Sequence, residues 1–171
     1  MEVNMAENKT LDILKGAILL EHRGKSLYES VAQKTDIAPV KELFEMLVDE
    51  EIKHITILNE QFTLVSKGKD FDVSGLDEDD GTTTKAVLSE KIASEISAAG
   101  YEAAVIAAAL EFEKNAVKYY GDKGASAGSS GEKMLFNWLT KWETGHMTML
   151  AQIDKEIKEQ VWYDNNFWPL D

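Results

Sequence analysis

VKELFEMLVDEEIKHITILNEQFTLV, residues 40–65, decides the fold. Val40, Phe44, Leu47, Glu51, His54, Leu58, Phe62 and Val65 recur at steps of three and four, which puts them on one face of an α-helix. A glutamate and a histidine therefore sit in the middle of an apolar stripe. The stripe Leu135, Leu139, Glu143, His146, Leu150, Ile153 and Ile157 repeats the arrangement. Two further stretches carry one carboxylate each: Glu21 among Leu14, Ala17, Ile18, Tyr28 and Val31, and Glu113 among Ile106, Ala109, Leu110, Val117 and Tyr120.

These periodicities predict helices over residues 10–33, 40–66, 100–120 and 132–159. A short turn at 34–39 and a Gly/Ser-rich turn at 121–131 make antiparallel neighbours of the first two and of the last two. Residues 67–85 read as loop, and 86–96 as a short lead-in helix. That connection is long enough to cross a bundle, at about 3.3 Å per extended residue. The expectation is an all-α fold in a single domain, residues 1–171, with the bundle over about 10–160 and an aromatic tail at 161–171. Trp162, Tyr163, Phe167 and Trp168 of the tail are expected to cap the bundle, with a homodimer contact as the alternative.

Four unpaired carboxylates in a dry core would be strongly unfavourable. No stripe carries enough Lys or Arg to meet them; Lys25 is the one nearby cation on the first helix. Two divalent metal ions balance the charge. One Glu from each of two helices and a Glu-x-x-His from each of the other two is the ligand set of di-iron and di-manganese bundles. The i, i+3 spacing puts both side chains of each pair on one helical face.

An internal repeat selects the ligands. A shift of 92 residues carries Glu21 onto Glu113, Tyr28 onto Tyr120, Glu51 onto Glu143 and His54 onto His146. Leu47 and Leu58 fall on Leu139 and Leu150. This favours Glu51 over its neighbours Glu50 and Glu45, and Glu113 over Glu111, and predicts a pseudo-twofold axis through the metal pair. Tyr28 and Tyr120 lie two turns beyond Glu21 and Glu113 on the same face. They are read as hydrogen-bond donors to the ligand carboxylates, the alternative being hydroxyls that reach solvent. His22 has Lys114 as its repeat mate and is read as a surface residue.

Composition narrows the function classes. A formal net charge of -13 argues against nucleic acid and against an anionic membrane surface. The absence of cysteine excludes disulfides, Fe–S ligation and thiol chemistry within the chain. MEVNMAENKT at the start has neither a basic nor an apolar leader region, so the expected location is cytoplasmic.

The pattern resembles the ferritin-like superfamily and, within it, the rubrerythrin family. Glu21 with Tyr28, Glu51-x-x-His54, Glu113 with Tyr120 and Glu143-x-x-His146 carry the likeness. It implies a ferritin-like four-helix bundle with two iron ions; manganese and zinc suit the same ligands. It implies Glu21 and Glu113 as terminal ligands, Glu51 and Glu143 as bridging ligands, and one histidine on each metal. The implied activity is reduction of hydrogen peroxide or O₂, with ferroxidase or iron storage as the alternative. Rubrerythrins proper also carry a four-cysteine rubredoxin-like domain, so here electrons are expected from a separate donor such as a rubredoxin. They carry an extra glutamate one turn after the third helix's ligand. Ala116 stands there, with Gly24 as its repeat mate. These small residues are expected to leave a pocket over the metals for O₂ or peroxide.

Overall fold

The computed structural model describes residues 5–76, 91–97 and 100–163. It contains four long helices: α1 (Met5–Lys34), α2 (Ala38–Ser66), α3 (Tyr101–Ala125) and α4 (Ser130–Tyr163). α1 packs along α2, α3 packs along α4, and α1 also meets α3. Pro39 lies in the first turn of α2, where a missing N–H costs nothing. Thr35 bridges the first turn outward, accepting from Ile37 N at 3.2 Å and donating to Glu102 Oε1 of α3 at 2.9 Å. α4 begins at a variant of the capping box: Glu132 N donates to Ser129 Oγ at 3.2 Å, and Gly128 N, one residue before that cap, donates to Glu132 Oε2 at 2.7 Å.

The apolar core divides into two clusters. Tyr28, Val31, Phe44, Leu47, Ile106, Ala109, Leu150 and Ile157 belong to one. Leu14, Ala17, Leu58, Val65, Ala116, Tyr120, Phe136 and Leu139 belong to the other. Each helix crosses from one cluster to the other, with its glutamate between. α1 and α4 cross in one sense, α2 and α3 in the opposite sense. Repeat mates lie in opposite clusters, as Leu14 with Ile106 and Phe44 with Phe136 do. The pseudo-twofold axis therefore runs across the bundle at the level of the glutamates. Because α2 and α3 run the same way, the chain must traverse the bundle between them.

Both ends of that crossover are anchored. Gln61 holds Asp72 through two hydrogen bonds, accepting from its N–H at 2.9 Å and donating to its C=O at 2.8 Å. Phe71 and Leu76 pack on the second cluster. Helix reappears at 91–95, where Ile92, Ala93 and Ile96 are buried in the first cluster and Gln160 of α4 donates to Ala93 O at 3.0 Å. The lead-in helix is thus present from 91; residues 86–90 lie outside the described residues.

Two expectations change. α3 continues past Tyr120 to Ala125, and the turn shortens accordingly. Gly124 belongs to the helix because it lets α4 approach: a Cβ there would meet Asn137 Oδ1 at 2.6 Å. The tail's first residues extend α4 rather than cap the bundle, for Trp162 and Tyr163 are helical and 72% and 79% exposed. Phe167 and Trp168 lie outside the described residues. No helix among the described residues is long and apolar enough to cross a membrane.

Candidate metal centre

Between the two apolar clusters lies a polar layer. Glu21, Glu51, His54, Glu113, Glu143 and His146 are all buried there. They fall into two groups of potential ligands: Glu21, Glu51, His54 and Glu143, and then Glu51, Glu113, Glu143 and His146. Within each group one ligand atom per residue lies within 4.8 Å of the others. Glu51 and Glu143 belong to both groups, while Glu21 and Glu113 each belong to one.

Both histidines turn Nδ1 toward the carboxylates. His54 Nδ1 is 3.0 Å from Glu21 Oε2 and 3.0 Å from Glu143 Oε1. His146 Nδ1 is 3.2 Å from Glu143 Oε2 and 3.4 Å from Glu113 Oε1. The two imidazoles lie nearly parallel, 6.0 Å apart. The tyrosines bind across the hairpins. Tyr28 of α1 donates to Glu113 of α3, and Tyr120 of α3 donates to Glu21 of α1. Neither hydroxyl reaches solvent, since both side chains are fully buried.

The electrostatics are those of charge crowded into a dry space. Burial, Glu21 and Glu143 push Glu51 well above the usual carboxylate range. Burial and Glu143 push Glu113 up to about 8. Burial alone would lower His54, yet Glu143 and Glu21 raise it to about 9. His146 is raised likewise by Glu113 and Glu143 against the effect of burial. Glu143 is held well below its ordinary value because His54 and His146 outweigh its burial. Burial and the neighbouring carboxylates raise Tyr28 and Tyr120, which keeps both hydroxyls protonated as donors.

Three buried oxygens, Glu51 Oε1, Glu113 Oε2 and Glu143 Oε1, have no hydrogen-bond partner. The 3.0 Å approach of His54 Nδ1 to Glu143 Oε1 is an ion contact without hydrogen-bond geometry. Orphaned oxygens at the centre of a carboxylate cluster fit a hard or borderline cation. The donor set as a whole could hold two.

The family model of rubrerythrin matches residues 12–154. The chain belongs to the rubrerythrin family. No curated protein and no solved structure gives a significant match. In this rubrerythrin-family chain the remaining acidic candidates separate cleanly. Glu45 and Glu111 are exposed, Glu111 pairing with Lys114 at 2.6 Å. His22 is exposed as well, and Lys25 turns outward to Glu29.

Glu50 lies in neither ligand group, yet it is not a surface residue. It is buried, and its Oε2 lies 2.6 Å from His146 Nε2, on the far side of that ring from the carboxylate cluster. The sequence held a signal for it: Leu43, Leu47, Glu50, His54, Leu58, Gln61 and Val65 also recur at steps of three and four, and all are buried. Beside Gly24, one of the two small residues expected to leave space for a ligand, the space is taken by Phe112. A Cβ at Gly24 would fall 2.8 Å from Phe112 Cε1 and 3.4 Å from Glu51 Cδ, so the phenyl ring already fills that side.

Proposed function

We propose that Glu21, Glu51, His54, Glu113, Glu143 and His146 hold two iron ions, and that the protein reduces hydrogen peroxide or O₂ with electrons from a separate donor. One observation carries this reading: two overlapping ligand groups share Glu51 and Glu143, and among the described residues no Lys or Arg is buried to meet their charge. Family membership supports the redox class.

Glu51 and Glu143, which belong to both groups, would be shared by the two ions, and Glu21 and Glu113 would each serve one. Each histidine offers Nδ1 to one position. Two reduced iron ions held by these six side chains would supply the two electrons needed to reduce an O–O bond. The chain supplies the rest. Tyr28 donates its hydroxyl proton toward Glu113 and Tyr120 toward Glu21, so each tyrosine fixes the orientation of one carboxylate. The apolar clusters on either side exclude bulk water. These 171 residues hold no cysteine for a rubredoxin-type site, and the proposed electron source is a separate donor.

The test is stopped-flow absorbance of anaerobically reduced, iron-loaded protein mixed with peroxide or with O₂. Rapid oxidation by at least one oxidant, with repeated turnover once a reductant is added, is expected. No oxidation by either ends the reading. Light scattering of the same sample separates a homodimer, the expected assembly, from the large cage that iron storage needs.

A further inference from the structure

The repeat is broken at one place that bears on the site. The residue before Glu51 is Glu50, whereas the residue before Glu143 is Trp142. The two histidines consequently have different surroundings on their far sides. His146 Nε2 donates to the Glu50 carboxylate at 2.6 Å. For His54 the hydrogen bond among the described residues is at Nδ1 alone, to Glu21. Its ring meets the edges of Trp138 and Trp142, at centroid distances of 5.4 and 5.7 Å. An indole offers an N–H donor and no acceptor, so neither can take the bond that Glu50 takes. His54 also lines a cleft of about 290 Å³ with Lys53, Ile57, Trp138 and Trp142. Both rings are buried, and of the two it is His54 that lines this cleft.

We propose that Glu50 is a positioning residue that makes the two metal positions unequal, so that the ion at His146 is held tightly and the ion at His54 is the one that exchanges. The proposal rests on the two-ion reading above. A carboxylate on the distal ring nitrogen fixes the proton at Nε2 and leaves the Nδ1 lone pair for the metal. It also fixes the ring's orientation and makes the imidazole a stronger donor. Loss of such a partner lowers metal affinity by about 10–100-fold. Packing against indole edges restrains the His54 ring but adds no charge, and the adjoining cleft gives that side a path for exchange.

Cobalt(II) titration of the full-length, chelator-stripped protein tests this. Binding is followed by visible absorption against a competing chelator, and folding by circular dichroism. Wild-type protein is expected to bind two cobalt ions in separate steps. Glu50→Ala should weaken the tighter step by about 10–100-fold and leave the weaker step in place. Glu50→Gln, which keeps an accepting oxygen without its charge, should fall between. The spectral change should be confined to the first cobalt bound, which a general loosening of the bundle would not produce. Two equal steps in the wild type, or equal weakening of both steps in the variants, overturns the inference and leaves the two-ion reading standing. Absence of tight cobalt binding to the wild type overturns both. Two equal wild-type steps overturn the inference even if neither variant folds.

Discussion

Tyr28 and Tyr120 show how much one hydroxyl can fix in this core. Each donates to a buried glutamate of the opposite hairpin, so the pair ties the two halves together at the polar layer. Removing one hydroxyl leaves a buried carboxylate short of a donor, at a cost of about 1–3 kcal/mol. Tyr28→Phe and Tyr120→Phe should each destabilise the chelated protein by that amount, and by similar amounts, because the repeat makes them equivalent. Urea denaturation measures it; an unchanged midpoint for either would mean its hydroxyl is not a needed partner. The burial of these residues was legible from spacing alone. Which glutamate each would meet was not, because the repeat relates Tyr28 to Tyr120 but says nothing of how the hairpins face each other. Glu50 escaped for a related reason. The shift that selects Glu51 pairs Glu50 with Trp142, and so hides a residue that serves only one half.

At the scale of helices, the long elements followed from their stripes, and the ends did not. α3 runs on through Gly124 because a tight approach to Asn137 rewards the missing side chain, a reason that exists only once α4 is in place. α4 runs into the aromatic tail because nothing in residues 160–163 stops a helix. Gly24 of α1 is the more instructive case. Alanine is favoured over glycine inside a helix by about 1 kcal/mol, so an exposed glycine here would be a simple weakness. At this position the new methyl would meet Phe112 at 2.8 Å and lie against Glu51 at 3.4 Å. Phe112 in turn packs edge-on against Tyr28, with ring centroids 6.2 Å apart. Overpacking costs about 1–3 kcal/mol, which cancels or exceeds the gain. Gly24→Ala is therefore expected to lower the melting temperature of the metal-loaded protein and to weaken metal binding, since Glu51 belongs to both ligand groups. A variant that melts higher and binds metal as before would show that Phe112 yields freely and that Gly24 has no part in placing Glu51.

For the whole molecule, the two apolar clusters favour folding while the layer between them opposes it. The topology was readable because the repeat and the one long connection leave a single economical path for the chain. The electrostatic state of the layer was readable only in kind, as too many carboxylates for the space. The structure gives it a direction with pH. In chelated protein His54 is raised to about 9 and Glu113 to about 8, both above their free values. A raised group stabilises the fold fully below its unfolded pKa, and that contribution is lost as pH climbs through its folded one. Glu143 is depressed, so its contribution is present above the ordinary carboxylate range and disappears as pH falls. Chelated protein should therefore melt at progressively lower temperature from pH 6 to pH 9. Metal ions reverse the sign, because they compete with protons for the same oxygens and nitrogens and bind more tightly as pH rises. The gap between the melting temperatures of metal-loaded and chelated protein should widen over that window. Calorimetry of both forms in matched buffers measures it, and a gap that stays constant or narrows would mean that protons and metal ions do not share these side chains.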